Sequence, residues 1–123
     1  MATSNEQVVD SYVAASDLSD KQFFAVIMDS SGLVAPYTSS IVAPLGIVQN
    51  KPEAGEVARV CLSGTSKIIL GETVDESAII SPSATGSAVA AATGSYPLGK
   101  VTKGGAIDET GTVNLNLSYT IQA

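Results

Sequence analysis

An all-β fold, a small sandwich or barrel-like domain, is predicted for this chain by three observations. The most regular stretch alternates with period two. In Thr112 to Ile121, Val113, Leu115, Leu117, Tyr119 and Ile121 share one face, and Asn114, Asn116, Ser118 and Thr120 share the other, as a strand with one dry and one wet side requires. The other apolar residues come in short runs punctuated by Gly, Pro, Ser and Asp, the signals of turns between strands. Motifs also recur in one order. Gly32-Leu33-Val34-Ala35 returns as Gly86-Ser87-Ala88-Val89-Ala90, Pro44-Leu45-Gly46-Ile47-Val48 as Pro97-Leu98-Gly99-Lys100-Val101, and Gly55-Glu56-Val57-Ala58-Arg59-Val60 as Gly111-Thr112-Val113-Asn114-Leu115-Asn116. Two β-meanders, about 22–70 and 75–121, are the expectation, each burying its apolar face against the other; chance recurrence in a Gly-rich chain is the competing explanation.

The elements follow in order. Residues 1–16 are mostly small and polar, with Val8, Val9, Tyr12 and Val13 among them. They read either as an extended N-terminal arm that adds a strand to a neighbour's sheet or as an ordinary first strand; residues 17–123 are the β-domain. The best candidate for a helix is Asp17 to Gln22, where Asp17 or Ser19 caps a single short turn. Phe23 to Met28 is aromatic and β-branched and reads as a buried strand closed by Asp29-Ser30-Ser31-Gly32. Leu33 to Ala35 follows, limited by Pro36, then Leu45 to Gln49. Glu56 to Ser63 alternates, with Val57, Arg59 and Cys61 opposite Ala58, Val60 and Leu62. Ser63-Gly64-Thr65-Ser66-Lys67 reads as a β-turn leading to a strand Lys67 to Leu70. Ser77 to Ser81, Ala88 to Ala92 and Leu98 to Lys103 are shorter strands; the alanines of the second also suit a helix.

Composition excludes several functions. Of 123 residues 12 are acidic and 6 basic, the net charge is −6, and there is no His or Trp. Without His there is no Ser-His-Asp triad, Cys-His pair or imidazole metal site, and the negative charge argues against nucleic-acid binding. Charged residues are 15%, against roughly 25% usual for a soluble domain, so surface is expected to be buried against a partner. No stretch approaches the roughly 20 apolar residues of a membrane span. The start of the chain lacks the basic and apolar regions of a signal peptide, so synthesis in a reducing cytoplasm is expected. The single Cys61 reads as a small buried hydrophobe. The acid pairs Asp75-Glu76 and Asp108-Glu109 lie beside turn signals and lack calcium-loop spacing, so they read as solvated loops. No catalytic residue, metal or cofactor is expected.

Several stretches resemble small tailed-phage head proteins. They are Asp17-Leu18-Ser19, Phe24-Ala25-Val26, Asp29-Ser30-Ser31-Gly32, Leu45-Gly46-Ile47-Val48-Gln49-Asn50-Lys51-Pro52-Glu53-Ala54-Gly55-Glu56 and Val60-Cys61-Leu62-Ser63-Gly64. The family is that of capsid decoration (cement) and head-fibre-like proteins, and the resemblance covers roughly residues 15–105. It implies a non-enzymatic virion protein on the outer surface of an icosahedral capsid, often a trimer, with the major capsid protein as partner and no nucleic acid or membrane. On that reading the contacts to the shell are Val8, Val9, Tyr12 and Val13 in the arm, and Gln49, Asn50, Lys51 and Pro52 in the loop. The alternative is a carbohydrate-binding or adhesin module of a phage fibre, with exposed tyrosines stacking on sugars.

Overall fold

The computed structural model describes residues 7–38, 43–92 and 94–116. Among them are nine strands and no helix: β1 (Gln7–Val13), β2 (Ala25–Met28), β3 (Val34–Pro36), β4 (Gly46–Val48), β5 (Val57–Ile69), β6 (Ile79–Pro82), β7 (Ala88–Ala90), β8 (Gly99–Lys103) and β9 (Thr110–Asn116). All ladders are antiparallel, in the order β3-β2-β4-β5-β9-β8-β6-β7, with β1 paired to β5 beside this path. The sheet curls into the barrel-like domain the sequence predicts. Ala25 and Ile47 from one end share an apolar cluster with Ile80, Leu98 and Val101 from the other. The curl is fastened where Ala25 N–H donates to the Gly86 carbonyl at 2.9 Å.

Burial explains the sequence patterns. Ile47 and Cys61 point into that first cluster, while their neighbours Val48 and Val60 point into a second one with Val26, Ala58 and Leu18. β4 is therefore dry on both faces, which is why Gly46-Ile47-Val48 shows no polar alternation. In β9, Val113 and Leu115 are buried and Asn114 and Asn116 exposed, as period two requires; Leu117 to Ile121 of the predicted strand lie outside the described residues. Leu18 covers the second cluster, held by its N–H on the Pro52 carbonyl at 2.8 Å.

The structure differs from the sequence expectation in three places. Ser63 to Lys67 is not a turn: β5 runs unbroken through it. Its first half pairs with β1 and β4 and its second half with β9. Gly64 lies within it at φ +97°, and the register with β1 slips from Val8↔Ser63 to Val9↔Cys61, leaving Leu62 as a bulge. Phe23 and Phe24 lie outside β2, because Phe23 turns the chain at φ +67°. Asp17 to Gln22 forms turns and no helix, with Ser19 N–H on the Asp17 carboxylate at 2.9 Å.

One pairing pattern occurs twice. β1 pairs with β5 as the second half of β5 pairs with β9; β2 takes β3 and β4 as β6 takes β7 and β8; and β4 pairs with β5 as β8 pairs with β9. Parallel bridges join Ala14 to Val34 and Leu70 to Ala88. Leu45 N–H donates to Val26 O at 2.8 Å and Leu98 N–H to Ile80 O at 2.7 Å. Positive φ falls at Phe23 and Ser77, at Gly32 and Gly86, and at Gly55 and Asp108. Gly55 thus corresponds to Asp108 rather than to Gly111. The turns before β5 and β9 are closed alike: Glu56 Oε1 accepts Glu53 N–H at 2.7 Å, and Glu109 Oε1 accepts Ala106 N–H at 2.6 Å. Replacing Glu109 with Ala is expected to lower Tm by roughly 2–4 °C, as loss of a cap does, while Glu109→Gln retains most of it; thermal unfolding of the two variants checks this.

Candidate binding surface

The residues that the sequence marks as contacts fall into different environments. In β1, Val8 and Val13 are exposed, whereas Val9 packs on the first cluster and Tyr12 on the second. Val13 lies opposite Val57, itself 55% exposed, so two valines stand side by side in solvent. The far end of β1 meets the loop after β4: Ala14 N–H donates to Glu56 O at 2.9 Å, and Gly55 N–H to Ala14 O at 2.9 Å. Val8 lies at the other end, against Ser63.

Three of the four loop residues hold the fold. Gln49 Nε2 donates to Ile47 O and Ser66 Oγ, both at 3.0 Å. Asn50 clamps the start of β5, its Nδ2 on Val57 O at 2.9 Å and its Oδ1 taking Arg59 N–H at 3.0 Å. Pro52 is buried and offers its carbonyl to Leu18. Lys51 alone of the four is exposed.

Near Lys51 the structure assembles a feature that sequence reading misses. Two hollows of about 450 Å³ and 360 Å³ share Phe23 as a wall. The larger carries Gln7, Gln49, Thr65 and Lys67; the smaller carries Phe24, Lys51 and Asp20. Lys67 Nζ stands 5.7 Å from the Phe23 ring centre, and Lys21 Nζ 4.9 Å from that of Phe24, within the range at which a cation is attracted to a ring face. No local motif announces this grouping, because Lys21, Lys51 and Lys67 come from three separate segments. The signal at hand was the pair Phe23-Phe24 in a chain with few aromatics.

The acidic pairs serve the backbone. Glu76 Oε2 accepts Gly104 N–H at 3.0 Å, and this bond holds its carboxyl below the usual range; Glu109 closes the turn before β9. Among the described residues no three Asp, Glu, Cys or His side chains gather as metal ligands. Tyr37 is buried, and burial, then its neighbour Tyr96, pushes its hydroxyl pKa up. Cys61 is fully buried, with Sγ donating to Ser63 O at 3.2 Å, and burial pushes its thiol pKa up. The native protein is therefore expected to resist iodoacetamide at pH 8 and to react once denatured; mass spectrometry of the two samples reads this directly.

No protein-family model and no curated protein matches the chain. Among solved structures, it is similar to the head fibre gp8.5 N base of bacteriophage phi29, with a TM-score of 0.65 and 13% identity over 90% of this chain and 95% of that one. At that identity the likeness is one of fold.

Proposed function

We propose that the protein is a structural virion component of a phage that binds the outer surface of the icosahedral capsid and stabilises the shell. Its partner is the major capsid protein, and it acts as a homo-oligomer, with a trimer favoured. The observation that carries this reading is the match of nearly the whole chain to nearly the whole of a head-fibre base. The use of Glu76 and Glu109 as turn braces agrees with a non-enzymatic role. Oligomer symmetry would convert modest contacts into tight attachment, since linked sites bind as one.

Cryo-electron microscopy of the particle whose genome encodes the chain is the test. Density for this fold on the outer shell at a symmetry axis is expected. Its absence from the particle, or a position inside the shell, overturns the reading.

A further inference from the structure

The two matching halves of the sheet act as a control on each other: where both carry the same feature, the fold calls for it, and where one alone carries it, another cause is needed. The turn at Phe23 is a shared feature. Phe23 N–H donates to Val48 O at 2.8 Å, and Ser77 N–H to Val101 O at 2.7 Å; Phe24 N–H donates to Lys21 O and Ala78 N–H to Asp75 O. The φ angles are +67° and +71°. The side chains differ throughout. Lys21 answers to Asp75, Phe23 to Ser77 and Phe24 to Ala78. Lys51 answers to Gly104, since Pro52 O and Gly105 O accept the matching bonds from Leu18 and Val74. The backbone is thus built equally well with no ring and no cation. A bulky residue at positive φ is also costly, and the second half meets the same geometry with a serine.

The first half nevertheless carries two half-buried rings, and beside them stand three of the chain's six cations, Lys21 and Lys51 from this half and Lys67 from the adjoining strand of the other, in a protein of net charge −6. One carboxylate, Asp20, lines the hollows beside them. We infer that this patch of Lys21, Phe23, Phe24, Lys51 and Lys67 is the surface that meets the shell, and that it takes an acidic protein surface whose apolar side chains enter the hollows beside Phe23. The inference rests on the capsid-binding reading and narrows it to one face and one partner chemistry. Charge complementarity sets the partner, because ammonium groups over aromatic walls attract carboxylates. A sugar is disfavoured as occupant: each ring already carries a lysine ammonium over a face, and stacking on that face would displace it.

The test uses particles stripped of this protein and the purified full chain. The patch variant Lys21→Asp/Phe23→Ser takes the residues of the second half, which that half shows to be compatible with the backbone. The control variant Lys100→Asp/Lys103→Asp makes at least as large a charge change on exposed positions of β8. Co-sedimentation with shells is expected to weaken about ten-fold or more for the patch variant and to stay within about two-fold for the control, each measured well below its own Tm, since Phe23 packs on the first cluster and its loss lowers stability. Wild-type binding is expected to fall as salt rises, and the patch variant to lose most of that dependence. If the wild type binds and the patch variant binds equally well, the inference is overturned while capsid binding stands. If a glycan competes with the shell and salt does not, the acidic-partner assignment is overturned. If the wild type does not bind, the functional reading falls, and the inference with it.

Discussion

Alanine at Gly46 or at Gly99 is expected to remove about 3 kcal/mol or more of stability, lowering Tm by about 10 °C. The cause is the same in both strands. A Cβ on Gly46 would meet the Cys61 carbonyl oxygen at 2.2 Å and Val60 Cγ1 at 2.8 Å; on Gly99 it would meet the Asn114 carbonyl oxygen at 2.1 Å. The nearest obstacle in each case is a backbone carbonyl of the paired strand, so relief requires opening β4 from β5, or β8 from β9. Gly99 carries a second demand, a φ of +155°, and its alanine variant is expected to be the worse of the two. Chemical denaturation with a constant m-value would measure both losses. A loss below about 1 kcal/mol at either site would contradict the close approach.

Leu70→Ala is expected to cost about 2–5 kcal/mol, the range for emptying a packed core site. Leu70 is fully buried, and its Cδ atoms lie where a Cβ on Gly105 or Gly111 would touch them. Its backbone makes the junction into the second half: its N–H donates to Glu109 O at 2.9 Å, and its carbonyl accepts Asp108 N–H at 2.8 Å. Ala14 makes the matching bonds in the first half, to Glu56 and from Gly55, with a methyl side chain. Alanine is thus compatible with the backbone role, and the loss at Leu70 reports the removed side chain and the cavity it leaves. A crystal structure of the variant with an unchanged bridge to Ala88 and a void beside Gly111 is the expected picture. Denaturation at the wild-type midpoint would argue that Leu70 does not support the first cluster.

The parts of this fold that the sequence revealed are those that depend on neighbours along the chain. β9 was legible because Asn114 and Asn116 face water while Val113 and Leu115 do not. The recurrence of Pro-Leu-Gly was legible because Gly46 and Gly99 answer the same steric demand. β5 was not, because Ser63-Gly64-Thr65-Ser66 has the composition of a turn, and what keeps it extended is pairing with β1 and β9 from distant segments. The same limit applied to the candidate binding surface. Asn50 and Pro52 look like ordinary loop residues until Val57, Arg59 and Leu18 are placed against them. The lysines of the patch come together only when the turn at Phe23, the loop at Lys51 and the second half of β5 are folded side by side. Lys51 was expected as a contact to the shell from the loop that carries it, which needed no knowledge of the fold.

The shared strand β5 has a consequence for how the chain folds. Tandem domains joined by a linker melt separately, because each owns all of its strands. Here the residues that finish the first pattern lead without a break into those that begin the second, so neither half has a complete sheet until β5 is in place. Folding should accordingly be a single cooperative event, and severing the chain at Gly64 would leave each fragment with its own strands but with its side of the shared apolar cluster uncovered.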